Sequence, residues 1–280
     1  MKRSLLLVLS IGLFLASCGG GGTKNDPWGL NCPVKSIKVT TYNAKNKFGE
    51  IVKDKISDEN NYTVAFNVDG NAETISYFNN EGELLSMSKN KYNSDGRLIE
   101  LSGYNQEGDL DYQYIYEYEG ERVIKHVSKY YWDETPNIYE NTNEWNGERL
   151  ICAKNTKNGE LQSVAKYSKW DKSGAEWIEY DENGDETGRG KIAYDENGFI
   201  KTYNTKTINA EIERNDKNLP VYIKGARSDS GTGIILSEEY KDEIFYIEYE
   251  YDERGNWIKQ TIYEGEIKMP KTISERVITY

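Results

Sequence analysis

The sequence predicts an all-β protein, an antiparallel meander of repeated β-hairpins that curls into a single sheet or a partly open barrel. Three observations predict this fold. One turn unit recurs along the chain, and turn signals return roughly every 10–15 residues, as short antiparallel strands require. No stretch shows the apolar periodicity of an amphipathic helix over three turns. The strand–helix alternation that builds a parallel sheet is therefore disfavoured.

The repeated unit is an aromatic residue followed by Asp or Asn, two further residues and Gly, as in the YDENG of Tyr180–Gly184. The Asp or Asn side chain accepts a hydrogen bond from the backbone two residues on, and Gly takes the left-handed position that closes the turn. The aromatic residue suits the end of a half-buried strand. Because such units recur at fixed offsets, they specify an architecture of hairpins. The eight copies begin at Phe66, Phe78, Tyr92, Tyr104, Trp170, Tyr180, Tyr194 and Tyr251.

The chain begins with a predicted signal peptide at residues 1–17. Lys2 and Arg3 precede an apolar run that is too short to span a bilayer. The next residues, LASC, resemble the bacterial lipobox. This resemblance implies that Cys18 is lipidated and becomes the new N-terminus. An ordinary secretory peptide with an incidental cysteine is the alternative.

Residues 18–26 are predicted to be the lipidated cysteine and a flexible, Gly-rich tether. Gly rather than Asp follows Cys18. By resemblance to known lipoproteins, this implies an outer-membrane anchor, with the protein facing the periplasm rather than the cell surface. The protein would contact the membrane through this N-terminal lipid.

Residues 27–280 are predicted to form a single repeat-built β domain, since no Pro/Ser-rich linker interrupts them. Val34–Tyr42 alternates as a first strand, and Asn60–Tyr118 is the most regular block. Within that block, Leu110 and every second residue to Tyr118 share one face of a strand. This pattern indicates a sheet with one packed face and one wet face.

The second half repeats the pattern with one interruption. Trp145–Lys201 follows the repeat, whereas Thr205–Ser237 departs from it, and Ser228–Gly233 is the predicted mobile loop. Glu243–Tyr263 reads as one strong hairpin. Ile273–Tyr280 is the last predicted strand.

The composition limits the functional classes. The formal net charge is −12 at pH 7, which disfavours nucleic-acid binding because phosphate contacts need clustered Lys and Arg. The chain has 23 tyrosines and a mean hydropathy of −0.81. A core rich in tyrosine must place many phenol oxygens at its margin, where they find hydrogen-bond partners, and this favours a thin or open sheet. Two cysteines follow Cys18, and Cys32 and Cys152 could pair in an oxidising periplasm or remain two buried thiols.

The sequence offers little chemistry. His126, the one histidine, falls in a predicted strand and is interpreted as structural. With one His and two Cys, common zinc sites are nearly excluded, and no nucleophile elbow, phosphate loop or dinucleotide fingerprint occurs. We therefore expect no catalytic residues, no metal and no cofactor, and a protein that is not an enzyme.

Aromatic residues provide the one candidate binding surface. Five tryptophans, together with many tyrosines, could form an exposed face that stacks on glycans or on a partner protein. Alternatively, they cover the core face of the sheet. These tryptophans are Trp132, Trp145, Trp170, Trp177 and Trp257.

The unit Tyr-Asp-x-x-Gly followed by an apolar residue, as in Tyr194–Ile200 and Tyr251–Ile258, resembles the YD repeat of Rhs-type proteins. The resemblance implies hairpin architecture and transfers no functional residues. We expect a non-enzymatic envelope lipoprotein that binds an envelope protein, or serves a structural role, through a sheet face or edge. A glycan-binding module that uses exposed Trp and Tyr is the alternative.

Overall fold

The computed structural model describes residues 28–31, 33–133, 135–228 and 234–280. The predicted signal peptide, Cys18 and the tether lie outside the described residues, and so does Cys32. Of the predicted loop at 228–233, only Ser228 is described. No helix among the described residues is long and apolar enough to cross a bilayer.

The described residues form 21 β-strands and one short 3₁₀ helix at Glu238–Tyr240. Alternating, β-branched and aromatic-rich runs form the strands, and the predicted turn units join most of them. The strands are β1 Ser36–Lys47, β2 Glu50–Ile56, β3 Asn61–Phe66, β4 Ala72–Phe78, β5 Leu84–Tyr92, β6 Leu98–Tyr104, β7 Leu110–Glu119, β8 Arg122–Tyr130, β9 Asn137–Asn146, β10 Arg149–Lys157, β11 Glu160–Asp171, β12 Gly174–Asp181, β13 Glu186–Tyr194, β14 Ile200–Asn204, β15 Asn209–Arg214, β16 Pro220–Lys224, β17 Arg227–Ser228, β18 Ile234–Ile235, β19 Ile244–Tyr251, β20 Trp257–Glu264 and β21 Met269–Thr279.

The meander closes into a barrel. Each strand from β3 to β16 pairs antiparallel with the next, β16 pairs with β19, and β21 returns to β1. The seam between β1 and β21 runs from Ser36 paired with Thr279 to Asn43 paired with Thr272. β1 also pairs with β3, so 18 strands form a closed ring. The antiparallel meander is confirmed, but the prediction of a curled sheet or partly open barrel is wrong. Closure gives the outer edges of the first and last strands backbone partners.

Two elements lie outside the ring. β2 pairs only with the last residues of β1, so this hairpin projects beyond the barrel, with Phe48 fully exposed at its tip. β17 and β18 form a separate two-stranded sheet in the segment between β16 and β19. Ala226, Ile234 and Leu236 of that segment pack against the barrel core.

The turn chemistry follows the sequence. In seven of the eight predicted copies, Gly adopts a φ between +78° and +89°. The copy at Trp170 differs, because Asp171 pairs directly with Gly174 and leaves a two-residue turn. A similar turn at Asn215–Asn218, which no aromatic residue precedes, uses Asn in place of Gly. Asn218 has φ +61° and donates its backbone N–H to the Asn215 carbonyl, because Asn tolerates the left-handed region better than most residues.

The recurring aromatic residues face opposite ways at the two ends of the barrel. We call the end where β3 meets β4 the lower end, and the end where β4 meets β5 the upper end. Register places the aromatic residue inward at lower turns and outward at upper turns, because side chains alternate with period two. The inward residues are Phe66, Tyr92, Tyr118, Trp145, Trp170, Tyr194 and Tyr251. The outward residues are Phe78, Tyr104 and Tyr180.

Several lower-end aromatic side chains bind backbone carbonyls of the preceding hairpin. The Tyr92 hydroxyl donates to the Ala72 carbonyl at 2.8 Å, and the Tyr118 hydroxyl donates to the Leu98 carbonyl at 2.8 Å. The Trp145 indole N–H donates to the Val123 carbonyl at 3.1 Å. These carbonyls lie where the backbone ladders end, so the aromatic donors satisfy them. The repeat therefore connects neighbouring hairpins as well as closing turns.

The apolar core fills one side of the barrel interior. One cluster spans β10–β16 and β19 around Trp177, Ile223 and Phe245. A second cluster around Tyr62 and Trp257 joins β1, β3 and the start of β20 to Trp28, Leu30 and Val34. Apart from Trp145 of β9, the inward side chains of β5–β9 belong to neither cluster, and they line the part of the interior that we call the lumen.

Candidate functional site

The structure separates the five tryptophans that were considered as a possible exposed binding surface. Trp177 and Trp257 are only 4% and 3% exposed, so both cover the core face, which was the alternative to an exposed surface. Trp145 and Trp170 contact each other edge to face at 5.9 Å and pack against the core. Trp132 is 62% exposed in the connection between β8 and β9 at the upper end. The others face inward, Trp145 and Trp170 at lower turns, Trp177 within β12 and Trp257 at the start of β20.

The lumen face of β7–β9 carries a continuous cluster of rings, which we call the aromatic panel. Cross-strand pairing brings its members together, since Tyr112 pairs with Tyr130 and Tyr116 pairs with His126. Tyr130 contacts Trp132 at 4.8 Å and Tyr139 at 5.9 Å between ring centroids. The panel consists of Tyr112, Tyr114, Tyr116, His126, Tyr130, Trp132 and Tyr139.

Tyr112 forms a platform because Gly103 lies behind it. The two residues are cross-strand partners, and a Cβ at Gly103 would lie 2.2 Å from Cε1 and Cζ of the Tyr112 ring. The ring therefore lies flat against the backbone of β6. One ring face contacts the wall, and the other faces the lumen. Flat aromatic faces of this kind pack against the apolar faces of ligands.

Polar side chains border the panel. Asn141 pairs with His126 on one side and with Asn155 on the other, so the three groups form an inward row across β8–β10. The side chains of Asn141 and Asn155 are half-buried and make no hydrogen bond to another described residue. Each amide offers two donors and an acceptor. A ligand on the panel would therefore meet hydrogen-bonding groups at its side.

His126 is held as a neutral ring. It stacks on Tyr116 at 4.6 Å with an interplanar angle of 6°, and its Nε2 lies 3.3 Å from the Ser128 hydroxyl. Burial lowers the pKa of His126 below its usual 6.5. Burial also raises the pKa of Tyr116 to about 12, and the pKa of Tyr114 rises for the same reason. The rings of the panel are therefore uncharged at neutral pH, and one cation, the Lys157 ammonium, lies 5.4 Å over the centre of the Tyr139 ring.

Stability is expected to fall as the pH drops below about 6.5 toward 5. The unfolded chain binds a proton on His126 at its ordinary pKa, whereas the folded chain resists it, so acid favours unfolding in this window. Urea unfolding at several pH values measures the slope. His126→Phe keeps a ring on Tyr116 and removes the titration, so its slope should be flatter. Equal slopes in the two proteins would contradict the burial of a neutral imidazole.

Sequence reasoning found part of this site. The alternation in β7 predicted that Tyr112, Tyr114 and Tyr116 share a face, and the structure confirms it. It missed Tyr130 and Tyr139, although both alternate with His126 and Asn141 along β8 and β9. Those alternations could have placed Tyr130 and Tyr139 on the inward faces of β8 and β9. Only the pairing register between the strands shows that they meet the tyrosines of β7.

One small cavity lies elsewhere, between the β17 segment and the barrel wall. Its volume is about 30 Å³, which is room for one or two waters. Two cationic side chains line it, but Arg227 pairs with Glu59 and Lys271 pairs with Glu264. Their charges are therefore already neutralised, and the cavity is too small for an organic ligand.

Cys152 lies half-exposed in β10, and burial raises the pKa of its thiol. Because Cys32 is outside the described residues, their pairing stays a prediction. Among the described residues, no group of three or more His, Cys, Asp or Glu side chains could hold a metal ion.

The outward-facing positions of the barrel carry cross-strand ion pairs. Their amine-to-carboxylate distances are 2.5–2.9 Å, and both partners are partly exposed. Single exposed pairs add little stability. Their positions matter more, because they distribute charge around much of the outer wall. The pairs are Lys91–Glu100, Lys125–Glu140, Lys154–Glu144, Lys191–Glu176 and Lys259–Glu250.

No protein-family model and no curated protein matches this chain. Among solved structures, the chain is similar to a porin-like protein from Bacteroides uniformis, with 10% sequence identity and a TM-score of 0.40. The match covers 90% of this chain and 100% of the other. A similarity at this level says nothing about function.

Proposed function

We propose that the protein is a non-enzymatic glycan-binding protein whose ligand lies on the aromatic panel inside the barrel. The observation that carries the proposal is the continuous aromatic panel beside the amides of Asn141 and Asn155. Sugars present apolar C–H faces and a rim of hydroxyls, which aromatic faces and amides complement. The glycan-binding surface that the sequence suggested is therefore proposed to lie in the lumen, and its rings are mainly tyrosines rather than tryptophans.

Binding of a protein through a sheet edge is less well supported. Closure pairs the strands around the barrel, so among the described residues the unpaired strand edges belong to the β1–β2 hairpin and to the two-residue strands β17 and β18. Lys53 and Lys55 lie along β2, and charged residues of this kind disfavour strand addition.

The barrel is proposed to sit in water, tethered to the outer membrane through lipid on Cys18. Charged residues on a lipid-facing barrel wall cost about 2–4 kcal/mol each at the bilayer midplane. The ion pairs of the outer wall therefore favour an aqueous setting. The described chain starts at the lower end, where Asn31 binds Gly255. We therefore propose that the tether joins there and that the upper end faces the periplasm.

Neutral oligosaccharides are expected to bind the purified body, residues 27–280, and to change the fluorescence of Trp132. A broad panel of neutral glycans, followed by calorimetry on the best binder, measures the affinity. Tyr112→Ala removes the platform and should weaken binding about tenfold or more, equivalent to about 1.4 kcal/mol. The ligand should be recovered unchanged, since no turnover is expected.

Tyr104→Ala is the matched control. Tyr104 lies at the end of β6 and points outward, where Lys89 lies over its ring. It should leave the affinity unchanged. The proposal would be rejected if none of the tested glycans bound. It would also be rejected if Tyr112→Ala and Tyr104→Ala lowered the affinity equally.

A further inference from the structure

Lys157 is a charged residue on the lumen face, beside the aromatic panel. It pairs in register with Tyr139, so it points inward at the upper end of β10. Among the other inward residues of β7–β10, all of which the structure describes, none is charged at neutral pH. The panel therefore has one positive group at its side, and that group bears on which sugars the panel binds.

Backbone pairing continues past Lys157 and fixes its position. The backbone N–H of Asn158 donates to the Ile138 carbonyl at 2.7 Å, and the Asn158 side-chain oxygen accepts from the Ile138 N–H at 2.9 Å. The half-buried Lys157 side chain places its ammonium 5.4 Å from the centre of the Tyr139 ring, whose negative face attracts it. The ammonium is therefore held over the edge of the panel.

The Lys157 ammonium makes no ion pair with another described residue. In contrast, Lys154 on the outward face of the same strand binds the Glu144 carboxylate at 2.5 Å. An aromatic ring attracts a cation without cancelling its charge. The positive charge of Lys157 is thus available to a ligand on the panel.

Several carboxylates lie in the neighbourhood but are turned to other contacts or to solvent. Glu160 is the cross-strand partner of Lys157 in the β10–β11 hairpin, and it is exposed. Asp133 is also exposed and accepts from a β9 amide. Glu179 and Asp181 face inward on β12, two strands away, and Asp181 accepts from two backbone N–H groups of its own turn. These carboxylates leave the Lys157 ammonium unpaired.

Amide groups lie next to the ammonium. Asn155 is two residues before Lys157 on the same face, so roughly 7 Å separates their Cα atoms. Asn141 is the cross-strand partner of Asn155. A carboxylate accepts hydrogen bonds on both of its oxygens, so an ammonium and an amide N–H together suit one acid group.

We infer that the glycan is acidic, with a uronic acid ring on Tyr130 and its carboxylate bound to Lys157. This inference rests on the proposed function, which concerns the panel alone. Tyr130 and Tyr139 lie 5.9 Å apart between ring centroids, so a sugar on Tyr130 brings a group at its edge close to the ammonium above Tyr139. The net charge of −12 repels anions in general, so the preference depends on this one contact.

Three uronic acid tetrasaccharides, each measured beside its methyl ester by calorimetry on the purified protein, test the inference. They are α-1,4-linked galacturonate, β-1,4-linked glucuronate and β-1,4-linked mannuronate. Esterification removes the charge and keeps the ring and the linkage. In at least one pair the acid should bind about fivefold or more tightly than its ester, and added salt should reduce the difference.

Lys157→Met removes the charge and keeps a side chain of similar length. In this variant the acid should bind more weakly than its ester, because the negative charge of the protein then acts alone. Lys157→Arg should keep the preference for the acid. Lys154→Met is the matched control, since it removes an outward-facing ammonium from the same strand, and it should leave the preference unchanged.

The inference and the proposed function fail in different ways. If every ester binds as tightly as its acid, or if Lys157→Met leaves the preference in place, the acidic assignment is wrong while glycan binding stands. The same holds if Lys154→Met removes the preference equally, or if neutral glycans bind and none of the acidic chains does. If neither the acidic chains nor the neutral glycans bind, the proposed function itself fails.

Discussion

Gly190→Val is expected to lower the free energy of unfolding by about 3 kcal/mol. Gly190 pairs with Trp177 across β12 and β13, and the indole lies directly over it. A Cβ at Gly190 would lie 2.1 Å from Cζ2 of Trp177. Trp177 is in the centre of the larger core cluster, packed against Tyr167 and Tyr203, so it has no free space to move into.

Gly188→Val is the matched control for this prediction. It lies two residues earlier on the same strand and faces the same way, but its nearest neighbour would be 3.9 Å away. Valine also suits a strand better than glycine, so this substitution should be nearly neutral or slightly stabilising. Urea unfolding of both variants gives the comparison. Similar losses in the two would show that the Trp177 ring does not lie over Gly190.

Asn256→Ala is expected to destabilise the barrel by about 2–3 kcal/mol, because it leaves buried partners unsatisfied. Asn256 is fully buried at the turn between β19 and β20. Its side-chain oxygen accepts from the Asn31 backbone N–H at 2.7 Å, and its nitrogen donates to the Tyr280 hydroxyl at 2.9 Å. Tyr280 in turn donates to the Asp252 carboxylate. The side chain thereby joins the first described segment to the end of the chain, beside the seam.

Asp185→Ala is the control, because Asp185 occupies the equivalent position in the turn between β12 and β13. Both residues donate their backbone N–H to the first turn residue at 2.9 Å, but the Asp185 side chain is exposed. Its removal should change stability by less than about 0.5 kcal/mol. Urea unfolding and protease sensitivity measure both variants. If Asn256→Ala proved as mild as Asp185→Ala, the network would not stabilise the seam.

Local chemistry accounts for the part of the fold that the sequence predicted well. The turn at Asn93–Arg97 forms because Asn93 accepts from two backbone N–H groups and Gly96 takes φ +78°. Such a turn involves only five adjacent residues, so composition and spacing define it. The alternation of Tyr112 with Gln113 likewise assigns faces within β7.

The rest depended on pairings between distant residues. The seam joins residues 36–43 to residues 272–279, and no local pattern marks either segment as the partner of the other. The sequence predicted a curled or partly open sheet for this reason. The burial of Trp177 also depends on a pairing between strands. Its inward register and the space above Gly190 bury the indole, whereas Trp132 lies in a connection and is exposed.

By itself, the sequence determined the antiparallel hairpins, their turns and the sharing of faces within each strand, since these depend on neighbouring residues and on the period of two. Only the tertiary structure decided that the ring closes, which way each recurring aromatic points, and that His126 joins tyrosines from three strands. The physical reason is that a shift of one residue in register reverses every side chain of a strand. Register around the 18-strand ring is therefore a property of the whole barrel.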